Sequence, residues 1–321
     1  MTTLDLKQAQ ISSTIDLFSK GEISQALDAV QGLLKDYPNE PVLFNIRGAC
    51  FADLGQLDVA VENYEDAIAI KPDYAKAHFN LAGCLHDLGQ MEAAVKSYKK
   101  TLEIEPDYAE AYNNLGNVFQ ELKQGDSAIQ SYKKALKIKP DYVAAQYSLG
   151  ISQQDLGQLD EAVKSYKSAL KLKPDFVEAH NNLGITFFKL HQLDEAMKCY
   201  KKALVFNPDF ADAFNNIGIV LLDLGQLNEA VKSYKAALKL KPDFAEAHYN
   251  LGVVFQDLER LDEAFISYKA AIVLQPDYAD AHYNLGILFH NTDQLEMAIK
   301  SLEMAIIIHP ENAEAHKYLG N

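Results

Sequence analysis

The sequence predicts an all-α chain, a solenoid of helix-turn-helix repeats. Three observations carry this. The prolines Pro38, Pro72, Pro106, Pro140, Pro174, Pro208, Pro242, Pro276 and Pro310 lie 34 residues apart, and Pro41 alone is off that lattice. Inside each interval, apolar and small residues recur at helical spacing. A turn-forming pair, Gly-Gln in several repeats, interrupts each interval near its middle and divides it into two helices.

With Ala245 as position 1, each element follows in order. In the first helix, positions 4, 7, 8 and 11 are apolar or small and form one buried face. The break comes at positions 15–16. The second helix runs from about position 18, and Pro at position 32 stops it because proline cannot continue a helix. Asp at position 33 is expected to cap the next helix, with an acid three residues on as its capping-box partner: Asp107 with Glu110, Asp243 with Glu246. Gly48, Gly116, Gly150, Gly184, Gly218, Gly252, Gly286 and Gly320 stand at position 8, and alanines recur at 20 and 27. Their small side chains let antiparallel helices approach to the near end of the usual interaxial range of about 8–10 Å. Tyrosine recurs at position 24, from Tyr64 to Tyr268.

Residues 1–321 are therefore expected to form one solenoid. Residues 7–40 make a degenerate capping repeat, with Ser13 and Thr14 at positions 7 and 8. Residues 41–312 make eight regular repeats, with Arg47 a departure at position 7. Residues 313–321 begin a tenth repeat that stops inside its first helix. The apolar run Ala305–Pro310 calls for a neighbour, so the chain is expected to be part of a longer protein.

Composition narrows the function. A net charge of -15 argues against nucleic acid as partner. Mean hydropathy is -0.17. No stretch reaches the roughly 18 apolar residues of a membrane span. The start, "MTTLDLKQAQISS", has no basic segment followed by an apolar run, so no secretory signal is read. Cys50, Cys84 and Cys199 are too few and too scattered for a disulfide framework or a paired-cysteine zinc site, and they suit a reducing, cytoplasmic setting.

These motifs resemble the tetratricopeptide repeat: 34 residues, Leu-Gly at 7–8, aromatics at 11 and 24, Ala at 20 and 27, Pro at 32. The usual Trp at position 4 is replaced by His78, His180, His248 and His282, with Phe44, Tyr112 and Phe214 in other repeats. The resemblance implies a right-handed α-α superhelix with first helices lining its concave side.

If positions 4, 7, 8 and 11 are buried, positions 2, 5, 6, 9, 12 and 13 face the groove. Position 6 carries Asn80, Asn114, Asn182, Asn216, Asn250 and Asn284, with Ile46 and Ser148 as exceptions. A carboxamide both donates and accepts, so it can grip a peptide main chain without reading side chains, or it can bond to the neighbouring helix. This ladder resembles the asparagine-lined repeats of O-linked N-acetylglucosamine transferase, which hold extended peptides. Position 13 carries Asp53, Asp87, Glu121, Asp155, Asp223 and Asp257, anions in a last helical turn that need compensation from a neighbour, from solvent or from a basic ligand. Over positions 1–14 of the eight repeats from Pro41 there are 11 acids and 3 bases; over positions 15–34 there are 27 and 23. Lys232, Lys235 and Lys239 read as a solvated outer face. Phe79, Tyr147, Tyr249 and Tyr283 at position 5 are either ligand anchors or packing groups.

The expected function is a non-catalytic scaffold whose acidic, Asn-lined groove holds an extended peptide, basic sequences included. The alternatives are the recognition arm of a larger modifying enzyme and a scaffold that stacks end to end on its own copies. No cofactor, metal or catalytic residue is expected: the position-4 histidines recur once per repeat, roughly 10 Å apart, and read as core residues.

Overall fold

The computed structural model describes residues 3–319; Gly320 and Asn321 lie outside the described residues. All its regular structure is helical. The chain divides into two compact units, Met1–Ser165 and Tyr166–Asn321. The first contains α1 (Thr3–Ser19), α2 (Ile23–Asp36), α3 (Pro41–Asp53), α4 (Leu57–Ile70), α5 (Ala75–Asp87), α6 (Met91–Ile104), α7 (Ala109–Glu121), α8 (Gly125–Ile138) and α9 (Val143–Asp155). After α10 (Leu159–Leu172), the second contains α11 (Val177–Lys189), α12 (Leu193–Phe206), α13 (Ala211–Asp223), α14 (Leu227–Leu240), α15 (Ala245–Asp257), α16 (Leu261–Leu274), α17 (Ala279–Asn291), α18 (Leu295–Ile308) and α19 (Ala313–Leu319). Within each unit, first and second helices pair as hairpins, and each hairpin packs on the next.

The hairpin turn explains the break at positions 15–16. In the turn between α3 and α4, Gln56 N donates to Phe51 O at 2.9 Å and Gly55 N to Ala52 O at 2.9 Å, the bond pair of a Schellman motif. That motif needs a left-handed residue at position 15. Glycine supplies it at Gly21, Gly55, Gly89, Gly157 and Gly225; Lys123, His191, Glu259 and Asp293 adopt φ of 56–58° with a side chain attached.

The expected capping boxes do not form. The cap residues of α7 and α15 are Tyr108 and Phe244, with no side-chain cap bond. Position 33 is instead inside a turn, closed in one repeat by Tyr74 N donating to Lys71 O at 3.1 Å, so Asp sits one residue too early to cap. Glu110 pairs with Lys139 at 3.4 Å and Glu246 accepts from Asn215 at 3.2 Å. The aromatic at position 34 braces the turn, with Lys241 Nζ 4.6 Å from the Phe244 ring centre and Lys173 Nζ 4.9 Å from that of Phe176.

The buried face of the first helix is also displaced from expectation. Positions 7 and 8 are buried, but position 4 is not a core site. Position 3 is fully buried (Ala77, Ala111, Ala145, Ala179, Ala213, Ala247 and Ala281), as is position 10 at Val118, Val220 and Val254. The histidines are half-buried braces: Nε2 of His78, His180, His248 and His282 donates to the carbonyl of Pro72, Pro174, Pro242 and Pro276, six residues earlier, at 2.9–3.0 Å. They tie the start of each first helix to the turn before it.

The lattice glycine makes room for the lattice tyrosine. A Cβ on Gly116, Gly184 or Gly218 would lie 2.5 Å from Cε1 of Tyr132, Tyr200 or Tyr234. These rings are at most 2% exposed. Arg47, off pattern at position 7, is accommodated by a second departure: its Nε donates to the buried Asn63 side chain, and its guanidinium lies 3.9 Å from Asp66. Outer faces carry exposed i,i+3 pairs such as Lys232–Glu229 and Lys198–Glu195.

Candidate functional site

The position-6 asparagines are half-buried, and Asn80, Asn216, Asn250 and Asn284 bond across repeats. Asn80 Nδ2 donates to Asn45 Oδ1 at 3.0 Å, Asn216 Nδ2 to Asn181 Oδ1 at 2.9 Å, and Asn250 Nδ2 to Asn215 Oδ1 at 3.1 Å. Asn284 Nδ2 donates to the Tyr249 hydroxyl at 3.1 Å. Each bond joins position 6 to position 5 of the preceding repeat, residues 35 apart. The recurrence of Asn thus has a structural reason, and only one Nδ2 proton is spent on it. At Ser148 the ladder lapses: buried Asn113 donates to Asn114 Oδ1 at 3.2 Å, but its own Oδ1 has no partner. Asn182 is half-buried beside buried Asn181.

Position 13 repeats this geometry one helix end away. Glu121 accepts from His86 Nε2 at 2.8 Å and Asp155 from Gln120 Nε2 at 2.7 Å, again 35 residues apart. A position-12 donor of the preceding repeat therefore offsets the anion at the helix C-terminus. Asp87, Asp223 and Asp257 are exposed and form no ion pair among the described residues.

The position-5 aromatics are half-buried packing groups. Phe79 stacks on Tyr108 at 4.8 Å, Tyr249 lies 5.0 Å from Tyr278, and Tyr283 lies 6.2 Å from Tyr318. Tyr147 is likewise half-buried.

Each unit has a cavity on the stripe of positions 2, 5, 6, 9, 12 and 13. In the first unit, a cavity of about 620 Å³ opens between α1, α3 and α5, with Val42, Asn45, Ile46, Ala49, Ala52, Asp53, Lys76 and Asn80 on those positions. In the second, a cavity of about 320 Å³ opens between α11, α13 and α15, lined at those positions by Asn181, Ile185, Phe188, Asp212, Asn215, Asn216, Ile219 and Glu246. The position-24 rings Tyr64 and Tyr200 reach through to these cavities. Burial pushes both phenols well above the usual tyrosine range.

Sequence reasoning missed the position-5 asparagines. Asn45 and Asn181 are 8% and 7% exposed, and each lines a cavity. Each accepts the ladder bond through Oδ1, while its Nδ2 has no partner among the described residues. A solvent-accessible donor in a cavity wall can exchange water for an external acceptor, a gain of about 0.5–1.5 kcal/mol net. The signal lay in the paired "NN" of repeats such as "AHNNLG", whose first Asn was passed over for the second.

Among the described residues, no group of three His, Cys, Asp or Glu could hold a metal, and no helix is long and apolar enough to cross a membrane. Burial pushes the Cys50, Cys84 and Cys199 thiols up to about 11.

Comparison with known proteins follows the same lattice. A TPR repeat family model matches residues 48–83, 84–123, 154–191, 220–259 and 257–293. Tetratricopeptide repeat models match 109–142 and 177–210, 199–232, and 279–312. A 65-residue stretch is 31% identical to the peroxisomal targeting signal receptor of Candida glabrata, covering 20% of this chain and 11% of the receptor. An 82-residue stretch is 26% identical to the Saccharomyces cerevisiae receptor, covering 26% of this chain and 13% of that protein. The match thus spans a small part of those receptors. Among solved structures, the APC/C hetero-tetramer Cut9-Hcn1 aligns over 94% of this chain and 59% of that chain, with a TM-score of 0.62 and 16% identity, a likeness of fold.

Proposed function

We propose that this chain, which belongs to the tetratricopeptide repeat family, is a non-catalytic scaffold that holds an extended peptide along the first-helix stripe of its repeats. The observation that carries this is the pair Asn45 and Asn181, whose side chains line the two cavities with Oδ1 engaged in the ladder and Nδ2 bonded to nothing among the described residues. A main-chain carbonyl is the acceptor that every peptide supplies, whatever its sequence. The position-6 amides Asn80, Asn114, Asn182, Asn216, Asn250 and Asn284 hold register between repeats and offer the rest of their hydrogen-bonding capacity to the same main chain. The likeness of this ladder to that of O-linked N-acetylglucosamine transferase supports such a grip. The peroxisomal targeting signal receptors, whose name denotes recognition of a protein signal, support a protein partner. Asp212 and Glu246 in the second cavity, with Asp223 and Asp257 beyond them, favour basic peptides there. Each hydrogen bond adds about 0.5–1.5 kcal/mol net, so affinity is modest and multivalent. The unpaired cysteines, Cys50 and Cys84 buried and Cys199 half-buried, suit a cytoplasmic setting.

The test is peptide-library capture by wild type and by Asn181→Ala with Asn182→Ala, Asn216→Ala and Asn250→Ala, with helicity and melting followed by circular dichroism. Capture falls at least tenfold in the folded variant. Unchanged capture by a folded variant removes the groove as the site. A second reading, end-to-end self-association, rests on Leu295 and Ile299 of α18, 58% and 47% exposed. Light scattering over a concentration series decides it: a monomer throughout leaves only the groove.

A further inference from the structure

The two cavities occupy the same repeat positions and differ in size and charge. On α3, positions 6, 9 and 12 are Ile46, Ala49 and Ala52; on α7 they are Asn114, Asn117 and Gln120, and on α5 they are Asn80, Gly83 and His86. The first cavity therefore has an apolar floor where α7 is polar, and the second has one too, from Ile185, Phe188 and Ile219. Ile15 and Phe18 of α1 extend the floor of the first, and Ile15 remains 42% exposed. At the rim, Asp53 and Lys76 supply one charge of each sign. The second cavity has two carboxylates and no base. An occupant of the first cavity is thus matched by an uncharged group. Asn45 Nδ2, without a partner among the described residues, provides one donor at the edge of the apolar floor.

We propose that the cavity between α1, α3 and α5 is a specificity pocket for a bulky apolar side chain of leucine or phenylalanine type, with the peptide carbonyl beside that side chain accepting from Asn45 Nδ2. The proposal rests on the peptide-holding reading above. It adds a sequence preference to a groove that otherwise grips main chain. About 620 Å³ falls within the range of ligand pockets of this composition, a mostly apolar wall with a few convergent polar groups. Transfer of three additional carbons from alanine to leucine, only partly desolvated, predicts a preference of about tenfold.

The experiment uses the full chain with isoleucine methyl groups labelled. N-acetyl-leucine amide, N-acetyl-alanine amide and N-acetyl-lysine amide are titrated separately, and the Ile15 and Ile46 resonances are followed. Mixed-sequence peptide capture is measured in parallel. The leucine probe shifts both resonances and binds about tenfold more tightly than the alanine or lysine probe. Ala49→Phe, at a half-buried position, fills the cavity and abolishes the preference. Ile46→Asn restores the lattice residue and does the same by making the floor polar. A leucine probe that binds no better than the alanine probe, or that keeps its advantage in a folded Ala49→Phe variant, overturns the pocket. Capture of long peptides with no leucine preference overturns the pocket and leaves the groove. Leucine-probe binding with no capture of long peptides overturns the groove and leaves the pocket.

Discussion

The first unit and the second are built on one lattice, yet they spend it differently. Both first-helix cavities have an apolar floor, but the first is larger with one rim charge of each sign, and the second is smaller and acidic, with Asp212 and Glu246 and no base. Hairpin turns differ in the opposite sense. The first unit uses Gly21, Gly55, Gly89 and Gly157 at its left-handed turns, with Lys123 the one exception, whereas the second has His191, Glu259 and Asp293 beside Gly225. The lattice dictates where side chains point, and the residue at each point decides the chemistry and the strain.

Alkaline titration should give the largest effect and should set Tyr98 of the first unit apart from the other lattice tyrosines. Burial pushes the phenols of Tyr64, Tyr132, Tyr200, Tyr234 and Tyr268 up, and Tyr98 to about 12. In the unfolded chain tyrosine ionises near 10, about 1.4 kcal/mol per unit of difference. Folded stability is therefore complete below about pH 10 and is lost as pH rises through 12 and beyond. Asn114 lowers the Tyr98 value somewhat, while Tyr234 has no hydroxyl partner and lies near Glu246. Tyrosinate absorbance, with Tyr98→Phe and Tyr234→Phe identifying each signal, should show Tyr98 ionising first; the reverse order breaks the comparison.

Next in size is Gly218→Val, whose side chain enters the Tyr234 ring and should cost about 3 kcal/mol in urea unfolding. In the first unit, buried Ala82 already stands at the same position, so the reverse change Ala82→Gly relieves no clash and should cost about 1–2 kcal/mol from lost helix propensity and a lost buried methyl. The ladder itself is tested in both units. Asn215→Leu removes the donor to Glu246 and the acceptor for Asn250, a loss of about 1–3 kcal/mol. Ser148→Asn supplies the donor that Asn113 Oδ1 lacks and should gain about 1 kcal/mol. A loss on Ser148→Asn would show that the lapse is not the missing bond. The smallest effects belong to the turns: Lys123→Gly, His191→Gly, Glu259→Gly and Asp293→Gly should each raise the melting midpoint, by about 0.5–1 kcal/mol in free energy.

Much of the fold was legible because the lattice repeats its own evidence. Proline and the left-handed turn marked every helix end within a residue or two, and Gly at 8 with Tyr at 24 announced a close contact. The N-caps were not legible, because Asp107 and Asp243 have cap chemistry but turn geometry, and only the backbone distinguishes the two. Position 4 misled for a related reason. Histidine in a helical apolar register reads as core, while the proline carbonyl it serves lies outside that helix. The stripe of positions 2, 5, 6, 9, 12 and 13 was read from burial on the opposite face, and the two cavities lie on it. Which amide of an "NN" pair keeps a free donor depends on the next repeat, and no single helix encodes that.

The bonds between residues 35 apart have a consequence for splicing. Removing or duplicating a block of 34 residues keeps every helix in phase, but it leaves the junction sound only if an acceptor at the fifth site of one block precedes a donor at the sixth site of the next. Blocks of this chain are therefore directional pieces with matched ends, and a shuffled order would stay helical while its seams loosened wherever Ser148 or Ile46 fell behind an asparagine.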